Sequence, residues 1–276
     1  MGLFRRSLFL FCALCAVSGP ASAVLIDWST LNWPAGSLSN SYDVDPANPG
    51  NDFTATISGN TTQLVQSLVA PNPQTPAVTR AFDGGLASSP HTLELALNLT
   101  SNTQSVTFTL DFSAFYAAGV ANVSFTLFDI DMSNAGGNTY QDVITSIHAT
   151  STTGTQIAPT ITNVGANVSR TGTGLNQVLT GTASTVDLGA GSGAANATIT
   201  FDATDIASIT FTYGSTSMFA DPTYQHIGIY DIDYAPVPEP GALLACLLVI
   251  GFAVRRKIDN RCRVRCPQRI QTRRVN

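Results

Sequence analysis

The sequence predicts an all-β protein, a two-sheet sandwich of jelly-roll-like kind, on three observations. Apolar and polar residues alternate with a period of two in one run after another. Clusters of Gly, Asn, Ser and Pro separate those runs, and no long segment carries a competing helical period. About ten short strands with polar outer faces need a second sheet to cover their apolar side, which is what a sandwich supplies.

The ends are read apart from the domain. Met1–Ala23 has Arg5 and Arg6, an apolar run from Leu8 to Val17, and the small-residue pattern Ala21-Ser22-Ala23. That layout is the one of a secretory signal peptide cut after Ala23, and the run is too short for a stable membrane span. Residues 24–236 then form the domain, a length ordinary for one all-β unit with a real core.

Within residues 24–236 the strands are placed in order. "HTLELALNL" (His91–Leu99) sets Leu93, Leu95, Leu97 and Leu99 on one face, and "SVTFTLDF" (Ser105–Phe112) does so with Val106, Phe108, Leu110 and Phe112. Further strands are expected at "NVSFTLFDI", "VITSIHAT", "ATITF", "IASITFTY" and "HIGIYDIDY". "SNAGGN" and "GAGSGAAN" read as turns, and the Pro-rich "APNPQTPA" (Ala70–Ala77) as a loop inside one domain, since the segment before it is short of residues for a core of its own.

Charge narrows the partners. Residues 24–236 hold only two cations, Arg80 and Arg170, against Glu94 and fifteen aspartates, a formal charge of −14 that the whole-chain value of −5 conceals. Such a domain repels phosphate backbones, which excludes nucleic acid as its partner and favours cations. All five cysteines (Cys12, Cys15, Cys246, Cys262 and Cys266) lie outside it, so it uses no disulfide, and Cys262 and Cys266 lack the further ligands of a zinc site.

After the domain comes "VPEPGALLACLLVIGFAVRRK" (Val237–Lys257). A Val237-Pro238-Glu239-Pro240 motif precedes an uncharged run, Gly241–Val254, that Arg255, Arg256 and Lys257 stop; those cations are expected to stay cytoplasmic and leave the domain outside the inner membrane. The segment resembles the PEP-CTERM sorting signal of Gram-negative bacteria, which comprises such a motif, a short transmembrane helix and a basic cluster. The resemblance implies recognition by exosortase, cleavage near the motif and release to the cell surface or extracellular matrix, with the secretion machinery as a further partner. The same segment type is also catalogued as an ice-binding protein C-terminal domain, a label for the tag rather than its cargo. The chain departs from the pattern by continuing into a basic tail, residues 258–276.

Within the domain, "FDID" (Phe128–Asp131) is echoed by "YDID" (Tyr230–Asp233). Val123, Phe125 and Leu127 share parity with Asp129 and Asp131, and Ile227 and Ile229 share parity with Asp231 and Asp233. Carboxylates on an apolar face invite a cation, and calcium takes six to eight oxygens. Asp129, Asp131, Asn134, Asp142, Asp231 and Asp233 are therefore the candidate calcium ligands, against the alternative of solvated, turn-capping aspartates. From Phe125 to Tyr234 the text also resembles a β-sandwich segment of bacterial secreted and surface proteins, which implies fold and compartment but no catalytic residues.

Other chemistry finds less. His91, His148 and His226 lie on or beside strands, where a structural role is the commoner one. There is no HExxH, Gly-x-Ser-x-Gly or phosphate loop. Trp28, Trp33, Tyr213, Phe219, Tyr224 and Tyr230 are either a sugar platform or core. Ice binding needs a regular threonine array, and stretches such as "TFTL" (Thr107–Leu110) stand isolated in the text. The expectation is a secreted, non-catalytic protein of the cell surface or exopolysaccharide matrix; the alternative is a carbohydrate-binding module or carbohydrate-active enzyme.

Overall fold

The computed structural model describes residues 22–87, 90–135, 138–184 and 192–238. The first strands are β1 (Val24–Ile26), β2 (Ser39–Tyr42), β3 (Phe53–Gly59), β4 (Ala77–Thr79), β5 (Thr92–Leu97), β6 (Ser105–Asp111), β7 (Val120–Phe128) and β8 (Met132–Ala135). They are followed by β9 (Asn138–Ser151), β10 (Gln156–Ile157), β11 (Thr160–Thr162), β12 (Val168–Thr171), β13 (Val178–Gly181), β14 (Ala197–Phe201), β15 (Ile206–Ser215) and β16 (Gln225–Pro236). Among the described residues there is no α-helix, and no helix long and apolar enough to cross a membrane. The proposed signal peptide through Ala21 and the sorting segment from Glu239 onward lie outside the described residues; Ala23, Val237 and Pro238 lie within them.

Every strand pairing is antiparallel, and the pairings fall into two layers. Layer I runs β2-β3-β6-β15-β9-β13-β12, and layer II runs β11-β14-β7-β16-β5-β4, with β1 on the remaining edge of β16. One residue pair, Ile206 with Val120, joins β15 to β7 and makes the network continuous. The long strands β3, β5, β6, β7, β9, β14, β15 and β16 change layer at each step along the chain. Non-local pairing of this kind follows from the alternation: each strand has one apolar side, and two such sides close on one another.

The core between the layers is built by the alternating residues. Phe53, Ala55 and Ile57 of β3 and Val106, Phe108 and Leu110 of β6 are buried, as are Leu93, Leu95 and Leu97 of β5 and Ala197, Ile199 and Phe201 of β14. Phe211 stacks on Phe108 within layer I at 5.3 Å between centroids and on Phe125 of layer II at 6.0 Å. The amino-terminal segment joins the same core through Trp28 and Trp33, whose rings meet edge to face at 6.2 Å.

Some expectations change here. Sixteen strands among the described residues replace about ten, because short strands such as β2 and β11 carry too few residues for a visible period. "FTATISG" is a full strand, and Ala135 and Asn138 of "SNAGGN" pair as the ends of β8 and β9, in keeping with the turn read there. "APNPQTPA" is a loop leading into β4, with Ala70, Pro71, Asn72 and Gln74 exposed and Thr75 buried, its hydroxyl donating to the Val65 carbonyl at 2.6 Å.

Phe211 touches both layers and is fully buried, so Phe211→Ala is expected to cost about 3–5 kcal/mol of folding free energy. Urea unfolding of the two proteins side by side measures it; a loss below about 1 kcal/mol contradicts the packing described.

Candidate functional site

The paired aspartate motifs do not face the core together. On β16, Ile229 pairs with Leu127 but Ile232 pairs with Phe125, so β16 holds one extra residue across Tyr230 and Asp231. That bulge reverses the side on which the following residues point. Ile232 and Tyr234 are buried, Asp231 is half-buried and Asp233 is exposed, contrary to the shared parity expected from the sequence. On β7 the strand ends at Phe128, and Asp129 has a left-handed backbone (φ 65°), which hands the core position to Ile130.

The six candidate calcium ligands therefore do not form one site. Asp233 pairs with Ser124, five residues from Asp129, or roughly 16 Å along a strand. Asn134 is exposed on β8. Asp129, Asp131 and Asp142 are all buried near one another, but the Asp142 oxygens are engaged: Oδ1 accepts from the Tyr213 hydroxyl at 2.8 Å and Oδ2 from the Asp131 amide at 3.1 Å. Burial, then the charge of Asp131, raises the Asp142 carboxyl well above the usual carboxylate range. Among the described residues no group of three or more His, Cys, Asp or Glu side chains is arranged to hold a metal ion.

Glu94 and His226 meet on the outer side of layer II. Glu94 is fully buried; its Oε2 accepts from the Ser67 and Thr79 hydroxyls, each at 2.7 Å, and its Oε1 lies 3.0 Å from His226 Nδ1. His91 accepts from Arg80 Nε at 3.2 Å, and His148 Nδ1 lies 2.8 Å from the Ser146 carbonyl. Of the aromatic candidates, Trp28, Trp33 and Tyr213 are core, whereas Tyr224 is exposed and Tyr230 half-buried, stacked on Phe128 at 5.1 Å.

The feature that sequence reasoning missed is the outer face of layer I. The register lines up Ser39, Thr56, Thr109, Thr210 and His148 across five strands, and Ser58, Thr107, Thr212 and Thr145 across four of them. A third row, Ser41, Thr54, Asp111, Ser208 and Thr150, brings the one carboxylate. Neighbouring hydroxyls bond one another: Ser41 with Thr54 at 2.7 Å, Thr107 with Thr212 at 3.1 Å, Thr109 with Thr210 at 3.3 Å. None of these side chains is buried. The signal was present as Thr or Ser at every second position of "TATIS", "VTFTLD" and "SITFT", but only strand register makes a surface of them.

No protein-family model matches the chain. No curated protein matches it either. Among solved structures, it is similar to a family 11 carbohydrate-binding module from Clostridium thermocellum in complex with a β-1,3-1,4-mixed-linked tetrasaccharide, at 10% identity and a TM-score of 0.29 over 80% of this chain and 99% of that one. It is also similar to the family 11 module of the cellulosomal cellulase Lic26A-Cel5E of the same organism, again at 10% identity and 0.29, over 80% of this chain and 98% of that one. Likeness at that level carries no argument about function; the all-β assignment rests on the strand pairings.

Asp231 offers a test of the geometry. Burial, helped by the charges of Asp27 and Asp233 and opposed by the Trp28 amide, raises its carboxyl to about 6. Because the folded value lies above the unfolded one, the associated stability is present below about pH 4 and is lost as pH rises through about 6. Asp231→Asn keeps the neutral shape, so it is expected to match the parent at pH 4 and exceed it by about 1 kcal/mol at pH 8, after discounting for solvent screening. Urea midpoints at the two pH values decide; equal stability at both contradicts the assignment.

Proposed function

We propose that the chain is an exported, non-catalytic protein of the cell surface or exopolysaccharide matrix, whose jelly-roll-like sandwich holds neutral polysaccharide on the outer face of layer I. The observation that carries the reading is that uncovered hydroxyl face. Four strand spacings of about 4.8 Å give a row roughly 19 Å long, room for several sugar units laid across the strands. Hydroxyls both donate and accept, as sugar hydroxyls do, and each such bond nets only about 1 kcal/mol, so retention comes from repetition along one polymer.

Charge favours a neutral polymer. The domain carries −14, which repels polyuronates, while the face itself has one carboxylate, Asp111. A planar lattice such as ice fits less well, because a sheet twists by roughly 20° per strand and a flexible chain follows that twist where a crystal face does not. Export and sorting rest on the two ends: the signal-peptide layout of residues 1–23, and the PEP-CTERM resemblance of Val237–Lys257 with exosortase as its processing partner.

Two measurements test this. Mass spectrometry of the protein recovered from its cells and medium is expected to find an amino terminus after Ala23 and a carboxyl terminus near Val237–Pro240; a chain intact to Asn276 overturns the sorting assignment. The recovered protein is expected to co-sediment with neutral exopolysaccharide at low and high salt alike, with oligosaccharides of two or three units at least tenfold weaker. Retention by ice but not by polysaccharide, or a steep loss with salt, overturns the binding assignment.

A further inference from the structure

We infer that layer II carries a second, covered sugar-binding site beneath the turn that follows β4, with Phe82 occupying the place of a sugar ring. This rests on the reading that the protein holds polysaccharide, but it concerns the other side of the sandwich. The floor is Gly228, which pairs with Glu94 and has Phe82 pressed on it: a Cβ at Gly228 would come within 2.9 Å of both Phe82 Cδ2 and Thr92 Oγ1. Glu94 is held in one orientation by Ser67, Thr79 and His226, so its acceptor position is preformed.

The site has unused hydrogen-bonding capacity. His226 is 7% exposed and Thr92 is wholly buried, yet among the described residues none bonds His226 Nε2 or Thr92 Oγ1. Buried polar atoms are nearly always paired, and leaving one unpaired costs about 1–3 kcal/mol. Two of them on the outer side of the adjacent strands β5 and β16, with a fixed carboxylate between, match the alternating donors and acceptors around a sugar ring. The Phe128–Tyr230 stack beside them supplies an aromatic wall for the ring's apolar face.

The cover is a small unit of its own. Phe82 packs in a small cluster with Ala81 and Phe128, separate from the main core. The turn closes through Gly84 and Gly85, both left-handed (φ 57° and 79°) and packed on Phe128 and the Ser192–Gly193 backbone, and among the described residues one side-chain bond, from Asn196 to the Gly84 carbonyl at 2.8 Å, ties it down. Displacing Phe82 withdraws that cluster's burial and an edge-to-face contact with the His226 ring at 6.4 Å between centroids, while a sugar ring restores contact with Gly228 and His226 and satisfies both orphaned atoms.

The test uses the full exported protein and the neutral exopolysaccharide fraction of the producing cells. Phe82→Ala is expected to tighten binding at least fivefold, because the cover no longer competes. Thr92→Val, which removes an unsatisfied buried hydroxyl and so holds or raises the thermal midpoint, is expected to weaken binding tenfold or more; a merely structural Thr92 would give no such loss. Amides of residues 81–86 are expected to exchange faster with polymer bound. Unchanged affinity in Thr92→Val, or equal protection of the turn with and without polymer, overturns the covered site while leaving the polysaccharide reading intact. A parent protein with no affinity for the fraction overturns that reading itself.

Discussion

The pairing of β7 with β16 is the constraint on which the rest depends. These strands sit at the centre of layer II, and their register decides which residues of both reach the core. Two irregularities tune it. An extra residue at Tyr230–Asp231 turns the β16 aspartates away from the core and sets Ile232 and Tyr234 into it. A compensating extra residue on β7, where Asn122 is left-handed, restores alignment toward Val120, the point at which the two layers join. Without the first, the carboxylates of Asp231 and Asp233 would share the apolar interior with Phe112 and Phe211, at a desolvation cost the fold has no cation to offset.

That shortage of cations shows at three buried acids. Asp52 is fully buried, and its oxygens accept from the Val44 and Asp45 amides, the Asn48 side chain and the Tyr116 hydroxyl. Asp142 is served by a tyrosine and an amide, Glu94 by two hydroxyls and an imidazole. Hydroxyls, amides and one imidazole thus serve these three acids where arginine does in many proteins. Asp52, Glu94 and Asp142 are thereby held inside the scaffold, while Asp43, Asp202, Asp221 and Asp233 stay exposed and the three hydroxyl rows of layer I carry only Asp111.

Much of this was legible in the text and some was not, for identifiable reasons. Runs such as Val106–Phe112 and Ile206–Tyr213 announce themselves, because large apolar residues alternate with threonines over many positions. Extrapolating the same parity through Phe128 and Tyr230 fails: a bulge or a left-handed residue costs little locally and leaves no composition signal. The hydroxyl face was invisible for a different reason. Each threonine pair is commonplace on its own strand, and the array exists only once strands far apart in sequence, such as β3 and β15, are set on either side of β6. His226 and Glu94 likewise lie 132 residues apart, beyond any motif.

Under the exported role proposed above, the two lone cations of the domain bear on its survival outside the cell. Proteases that cut after lysine or arginine are common there, and residues 24–236 offer them only the bonds after Arg80 and Arg170. Arg170 lies within β12, paired with Leu179, and spends its guanidinium on the Ile161 carbonyl at 2.6 Å. A domain so composed is almost blank to trypsin-like enzymes, and it presents no lysine amine to the reducing sugars among which a matrix protein would spend its life, so it ages slowly by both routes.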